Sequence, residues 1–307
     1  MEEKKKQKKK AYNPHQMSRT SNVILNVLMA ILAFVCIFPF IYVIIISFSD
    51  KSSIASEGFQ LIPSSWSLEA YRYLWSIKDA LFNAYAVTIL VTVLGTIISV
   101  MLISFYAYAI SRKEFQYRKQ FTFIAFFTML FSGGLVPTYI VITQMLKLQD
   151  TIWALILPLA INAFWIIMMR TFFKQSVPEG VLESARIDGA SELRIFFQIV
   201  LPLSLPAIAT IALFSTLGYW NDWFNALLYI ENPNLVPLQH FLMKIENNLE
   251  FLRNNPLISN QVQSTASIPK DTAQMAIVVV STLPIALAYP FFQRYFVAGL
   301  TVGSVKE

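Results

Sequence analysis

Six long apolar runs, with few charges between them, constrain this chain more than any other feature. A helix needs about 20 consecutive apolar residues to cross the hydrocarbon core of a bilayer. Val23 to Ile46, Leu81 to Ile110, Phe121 to Leu146, Ile152 to Phe173, Leu203 to Ile230 and Ala273 to Leu300 all meet that requirement. The first is also longer than the apolar region of a cleaved signal peptide. Of the 307 residues only 14% are charged and 56% are hydrophobic, whereas a soluble domain carries about a quarter of its residues as charges. The runs do not alternate with period two, so they are not barrel strands. Pro39, Pro137, Pro206 and Pro284 lie within or at the ends of runs, where neighbouring helices re-satisfy the freed carbonyls. The expected fold class is an all-α integral membrane protein with six transmembrane helices in residues 23–300.

Lysine and arginine set the direction of the spans. The N-terminal segment 1–22 carries "KKKQKKK", Lys4 to Lys10, and the loop after the second run holds Arg112, Lys113, Arg118 and Lys119. The loop after the fourth run holds Arg170, Lys174, Arg186 and Arg194. Between the first two runs, Lys51, Arg72 and Lys78 are offset by Asp50, Glu57, Glu69 and Asp79, and residues 231–272 are similarly diluted. Both termini, including the tail 301–307, are therefore expected in the cytosol. A basic run can mean nucleic acid, but one placed before an apolar span reads as an anchor on anionic membrane lipid.

Several chemistries lack their residues. Cys36 is the single cysteine and lies inside a run, and His15 and His240 fall in different polar segments, so no metal site is expected. A carrier driven by an ion gradient places ionisable groups near the midplane, and the nearest candidate, Asp222, lies toward the end of the fifth run. No nucleophile, base or metal ligands converge as an enzyme would require. No glycine is followed by lysine, which excludes a phosphate-binding GxxxxGK loop. If ATP drives this protein, another subunit binds it.

The most charged island lies in loop 175–202: "VPEGVLESARIDGASELRIFFQIVLPLSLP", Val177 to Pro206. Pro178 suits the first turn of a helix and Gly189 its left-handed end. Glu179 and Glu183, four residues apart, gain nothing from each other. A second helix from Ser191 to Ile199 would complete an elbow that Pro202 delivers into the fifth run. Spacing alone leaves two readings, an elbow docked on a partner or an amphipathic helix lying on lipid. A second cluster, Trp220, Asn221, Asp222, Trp223 and Asn225, ends the fifth run, and Asn83, Asn162 and Trp165 could join it. Aromatic faces and amides suit a sugar path, but they equally suit an interfacial aromatic belt with polar contacts between helices.

Glu183-Ser184-Ala185, then Gly189, Ile199, Leu201 and Pro202, fit E-A-A-x3-G-x9-I-x-L-P, with Ser184 where alanine is typical. This resembles the cytoplasmic signature of ABC importer permeases. "FSGGLVPTYIV", "LPLSLPAIATIALF", "WNDWFNALLYI" and "QRYFVAGLTVGSVK" extend the resemblance to maltose-type carbohydrate permeases, especially Gram-positive oligosaccharide members. The resemblance implies a type I importer permease that moves a carbohydrate, pairs with a second homologous permease as a heterodimer, and receives sugar from an extracellular binding protein. It implies two ATPase subunits that hold ATP and Mg, with no cofactor in this chain. Glu183, Ser184, Ala185, Asp188 and Gly189 would couple to the ATPase, and Trp220, Asn221, Trp223, Asn83, Asn162 and Trp165 would line the substrate path. The outer loop 231–272 would reach into the binding protein, or else serve only as a solvated connector. The C-terminal "VAGLTVGSVKE" would touch the ATPase, or else only end a helix. A permease for a peptide or polyamine, or a non-transporting scaffold, are the alternative readings.

Overall fold

The computed structural model describes residues 19–255 and 269–303. Lys4 to Lys10, part of the outer loop and the last tail residues lie outside them. Among the described residues the regular structure is helical. Three of the described helices are long and apolar enough to span a bilayer unbroken. They are α1 (Arg19–Ser47), α4 (Lys78–Ser111) and the final helix, α14 (Lys270–Gly303). Short helices α2 (Lys51–Glu57) and α3 (Glu69–Ser76) connect the first two.

The third, fourth and fifth runs are not single rods as the sequence leads one to expect. The third breaks into α5 (Arg118–Leu130) and α6 (Leu135–Met145), which are bent by 116°. The reason is local: Gly134 adopts φ +84°, a left-handed conformation open to glycine, and its N–H donates to Ser132 Oγ at 3.2 Å. At 13 residues α5 rises about 20 Å, short of the roughly 30 Å hydrocarbon core. The fourth run bends by 52° between α7 (Ile152–Ala160) and α8 (Ala163–Ser176). There Asn162 caps α8 by accepting from Phe164 N–H at 2.9 Å. The fifth begins earlier than expected, with α10 (Glu192–Leu203), and turns by 84° at Ser204 into α11 (Leu205–Trp220). Pro202 does not make this turn; it lies inside α10, just after a π-helical stretch at Phe196–Val200. A wider turn there suits a proline that has no N–H to donate.

The centre of the molecule is α4. Ala84, Thr88, Val91, Gly95, Ser99, Ile103 and Ala107 are buried and recur at three- and four-residue intervals. The stripe meets α7, α8 and α11. Thr96 Oγ1 lies 3.2 Å from Thr216 Oγ1, and Ser215 Oγ donates to Ser99 Oγ at 3.3 Å, so hydroxyls join α4 to α11. A Cβ on Gly95 would stand 2.5 Å from the Tyr219 ring. That ring is itself held, because the Tyr219 hydroxyl donates to Ile156 O at 2.9 Å. In contrast, α1 packs against α14 yet exposes Val23, Leu28, Phe34 and Ile37. Most of its apolar stretch is exposed, whereas α4 buries a far larger share, which separates a peripheral helix from the central one.

Gly95→Ala should therefore destabilise the protein by about 1–3 kcal/mol through overpacking. Thermal unfolding of the purified protein in detergent measures this, and adding Tyr219→Leu should recover part of the loss. An unchanged midpoint in Gly95→Ala would remove the close approach as a stabilising feature.

Candidate functional site

The island of charge forms an elbow at one end of the bundle. Helix α9 (Glu179–Ile187) starts after Pro178 and ends where Gly189 takes φ +78°. Gly189 N–H donates to Arg186 O, and Ala190 N–H to Ala185 O, both at 3.0 Å, which closes the helix end with backbone bonds. Two residues on, the Ser191 side chain caps α10 by accepting from Arg194 N–H at 3.4 Å. Leu182 is buried with Phe173, Ile195, Phe196 and Ile103 in one cluster, while Ala185 and Ala190 pack at its edge. The opposite face is open. Glu183, Ser184, Asp188 and Gly189 are exposed, and Ile187, at 86% exposure, leaves a large aliphatic side chain in solvent at the tip. The Ser184 hydroxyl donates to Gly180 O at 2.9 Å, so the departure from alanine folds back onto its own helix.

A clamp that the sequence reading did not identify holds the elbow to the loop after α4. Arg186 donates from Nη1 to Glu114 Oε1 at 2.8 Å and from Nε to Glu192 Oε1 at 2.9 Å. The other oxygen of Glu192 accepts from the Tyr108 hydroxyl at 2.6 Å, and Arg112 lies over the Tyr108 ring at 5.0 Å. Lys113 pairs with Glu179 at 2.8 Å. The Glu114 carboxyl is held below the usual range by its own backbone N–H and by Arg186, and Glu179 holds the Lys113 ammonium above its ordinary value. One signal was available: Glu114 and Arg186 are opposite charges in two loops expected on the same side of the membrane.

The six expected path residues do not form one cluster. Trp220 is buried at 6% exposure against Tyr85, and its indole N–H donates to Ser281 O at 3.2 Å. Asn83 donates to Asn234 O at 3.1 Å and so tethers the segment beyond the fifth run. Trp165 stacks on Phe214 at 4.8 Å. Asn162, besides capping α8, lines a recess of about 620 Å³ with Tyr106 and Thr128. Asn221 and Trp223 are exposed at the end of α11. Asp222 accepts from Asn225 N–H at 3.1 Å and from its side-chain amide at 2.8 Å, a cap for α12 (Phe224–Tyr229).

The described part of the outer loop is not an irregular connector. Residues Leu238–Asn254 form α13, whose Leu238, Leu242, Ile245 and Leu249 are buried with Leu74 and Ala276. The remainder of the polar stretch, residues 256–268, lies outside the described residues. Two side chains from elsewhere fix the start of the described part, at residues 231–238. Asp150, at φ +56°, accepts from the N–H groups of Glu231 and Asn232 at 2.6 and 2.8 Å. Thr88 Oγ1 accepts from Leu238 N–H at 2.7 Å, which satisfies one free donor at the start of α13. His240 follows; it is buried, and its Nδ1 has no hydrogen-bond partner among the described residues. Burial, aided by the nearby positive charge of Lys244, pushes its pKa down to about 4.

Two outcomes follow from this geometry. Arg186→Gln removes both ion pairs but leaves Leu182 in place, so amide exchange across Glu179–Gly189 should rise about fivefold while α4 is unchanged, given about 1 kcal/mol for exposed pairs. Exchange read by mass spectrometry decides it, and identical rates would mean that the clamp does not stabilise the elbow. His240 titrates near 6.5 when unfolded and near 4 when folded, so its neutral form favours the folded state. That contribution is complete above pH 6.5 and is lost as pH falls toward 4, by about 3 kcal/mol at the acid end. Unfolding monitored from pH 7 to 4 should show this slope, and His240→Leu should flatten it.

Residues 14–302 match the family of binding-protein-dependent transport system inner membrane components. The polygalacturonan/rhamnogalacturonan transport system permease protein YtcP of Bacillus subtilis is 44% identical over 274 residues, covering 89% of this chain and 94% of that protein. The trehalose/maltose transport system permease protein MalG of Thermococcus litoralis is 31% identical over 293 residues, covering 90% of this chain and 94% of that protein. A crystal structure of a bacterial ABC transporter involved in importing the acidic polysaccharide alginate contains a chain that superposes with TM-score 0.78 at 32% identity. The match covers 92% of this chain and 99% of that one. A non-transporting scaffold is thereby set aside. The chain belongs to the family of binding-protein-dependent transport system inner membrane components, as a multi-pass membrane permease.

Proposed function

We propose that this permease is one of two homologous subunits of an ATP-driven importer and that it carries an acidic oligosaccharide inward. The observation that carries the coupling role is the elbow. It presents Glu183, Ser184, Ile187 and Asp188 to solvent while Leu182 anchors it in the bundle core. An exposed, backbone-closed helix of this kind suits a groove on an ATPase subunit that binds ATP and Mg. Family membership supports a substrate-binding protein and ATPase partners. The elbow end would then face the cytosol, and α13 would face the binding protein. The cargo class is supported by the relative named for polygalacturonan and rhamnogalacturonan and by the structure named for alginate.

The path residues take divided roles in this reading. Asn162, Asn221 and Trp223, which are exposed, would meet sugar hydroxyls and ring faces. Trp220 and Asn83 would hold the helices behind them, and Trp165 would brace α8 on α11. Transport follows alternating access: closure of the ATPases moves the elbows, and the paired spans open outward to accept sugar.

The test uses the assembled transporter in vesicles, with the binding protein loaded with oligogalacturonate or with maltotriose. Oligogalacturonate should stimulate ATP hydrolysis and its own uptake, and maltotriose should not. Gly189→Val, a β-branched residue forced to φ +78°, should leave the protein in the membrane yet abolish both responses. Normal uptake in that variant would refute the coupling assignment, and stimulation by maltotriose alone would refute the acidic cargo.

A further inference from the structure

At the elbow end, where α5 begins, lies a second recess that the transport reading does not use. It has a volume of about 550 Å³ and is lined at one end by Arg118, Lys119 and Arg170 and along its length by Phe123, Phe126 and Leu130. An adjoining recess shares Arg118 and adds Arg112 and Lys174. The carboxylates of that adjoining recess are already engaged, Glu114 by Arg186 and Glu179 by Lys113. Among the described residues Arg170 donates to a neutral acceptor, Ile110 O, at 3.2 Å. Three cations therefore converge with no carboxylate among the lining residues. Thr122, between the cations and the apolar floor, has a buried hydroxyl that finds no partner among the described residues. No side chain caps the start of α5, so its N-terminal dipole adds to the positive field.

We propose that this recess binds an anionic phospholipid, with the phosphate at Arg118, Lys119 and Arg170 and an acyl chain along Phe123, Phe126 and Leu130. The gradient along α5 selects this occupant. From Phe123 to Leu130 the helix rises about 10 Å. Phe123 and Leu130 are 67% and 74% exposed, so the floor offers an acyl chain a continuous apolar face. An acidic sugar needs hydrogen-bonding groups along its whole length, and below the cations this recess offers only Thr122. Basic residues directly above an apolar surface at the start of a spanning segment match a headgroup and its tail.

The experiment uses the assembled transporter in detergent, given equal amounts of phosphatidylglycerol and phosphatidylcholine, with retained lipid counted by native mass spectrometry. The wild type should retain phosphatidylglycerol selectively. Arg118→Gln with Lys119→Gln should lower that retention about fivefold for each charge removed. Arg118→Lys with Lys119→Arg should keep it, and Arg72→Gln, at the opposite end of the bundle, should not affect it. Equal retention in wild type and the double glutamine variant overturns the assignment; this is also the outcome if a second permease subunit fills the recess. Equal loss in the charge-preserving pair overturns it too, because charge would then not be what binds. Displacement of the lipid by oligogalacturonate would assign the cations to the cargo instead. None of these readouts depends on sugar uptake, so this proposal and the transport reading can fail separately.

Discussion

The closeness of α4 to its neighbours underlies the rest of the structure. Lipid tails are as apolar as leucine, so helices in a bilayer gain little from hiding apolar surface from each other. What remains is van der Waals contact and the hydrogen bonds that a short approach allows. Gly95 opens that approach: the Tyr219 ring occupies the space a side chain would take, and its hydroxyl reaches across to Ile156 O. The Thr96–Thr216 and Ser99–Ser215 contacts lie along the same seam. Without this seam, the apolar clusters at the two ends of α4 would have no common axis.

Those two ends are built differently. At the elbow end, bulky side chains such as Phe173, Phe196 and Ile103 fill the core, and a shell of charges ties α9 and α10 to the loop after α4. At the other end, α13 lies across α3 and α14, held by Thr88 and Asp150 at its approach. Both ends are attached to α4, one through Tyr108 and the other through Thr88. In the proposed mechanism a signal from the ATPase would enter through one attachment, and a signal from the binding protein through the other.

Much of this was legible in the sequence, and the exceptions have physical causes. Apolarity alone located all six runs, because length and composition are what a bilayer tests. The elbow was legible because Gly189 and Ser191 announce a left-handed helix end and a new cap. The breaks were harder to see, since the residues on either side of Phe131–Gly134 and of Ser204 are equally apolar. The paired glycines of "FSGG" were one available signal, and Pro206, in the first turn of α11 just after Ser204, was another. Trp220 and Asn83 could be read either way from sequence, because aromatic and amide groups suited to a sugar are equally suited to bonding a neighbouring helix, and both make such bonds here. The clamp joins Glu114 to Arg186 across 72 positions, and spacing within one segment cannot reveal such a pair.

The contrast between rods and broken helices also divides the surface of the protein. Each bend frees carbonyls and N–H groups that the helix would have paired, and hydrocarbon gives them no partner. The bends at Phe131–Gly134, Ile161–Asn162 and Ser204 must therefore turn toward water or toward other protein, while unbroken α1 can lie against lipid over most of its length. The backbone thus sets which stretches need water or protein beside them and which can face lipid. A route for a hydroxyl-rich molecule needs the same unpaired peptide groups that lipid will not tolerate, so the segments costliest to place in a membrane are also those able to replace the water that a sugar leaves behind.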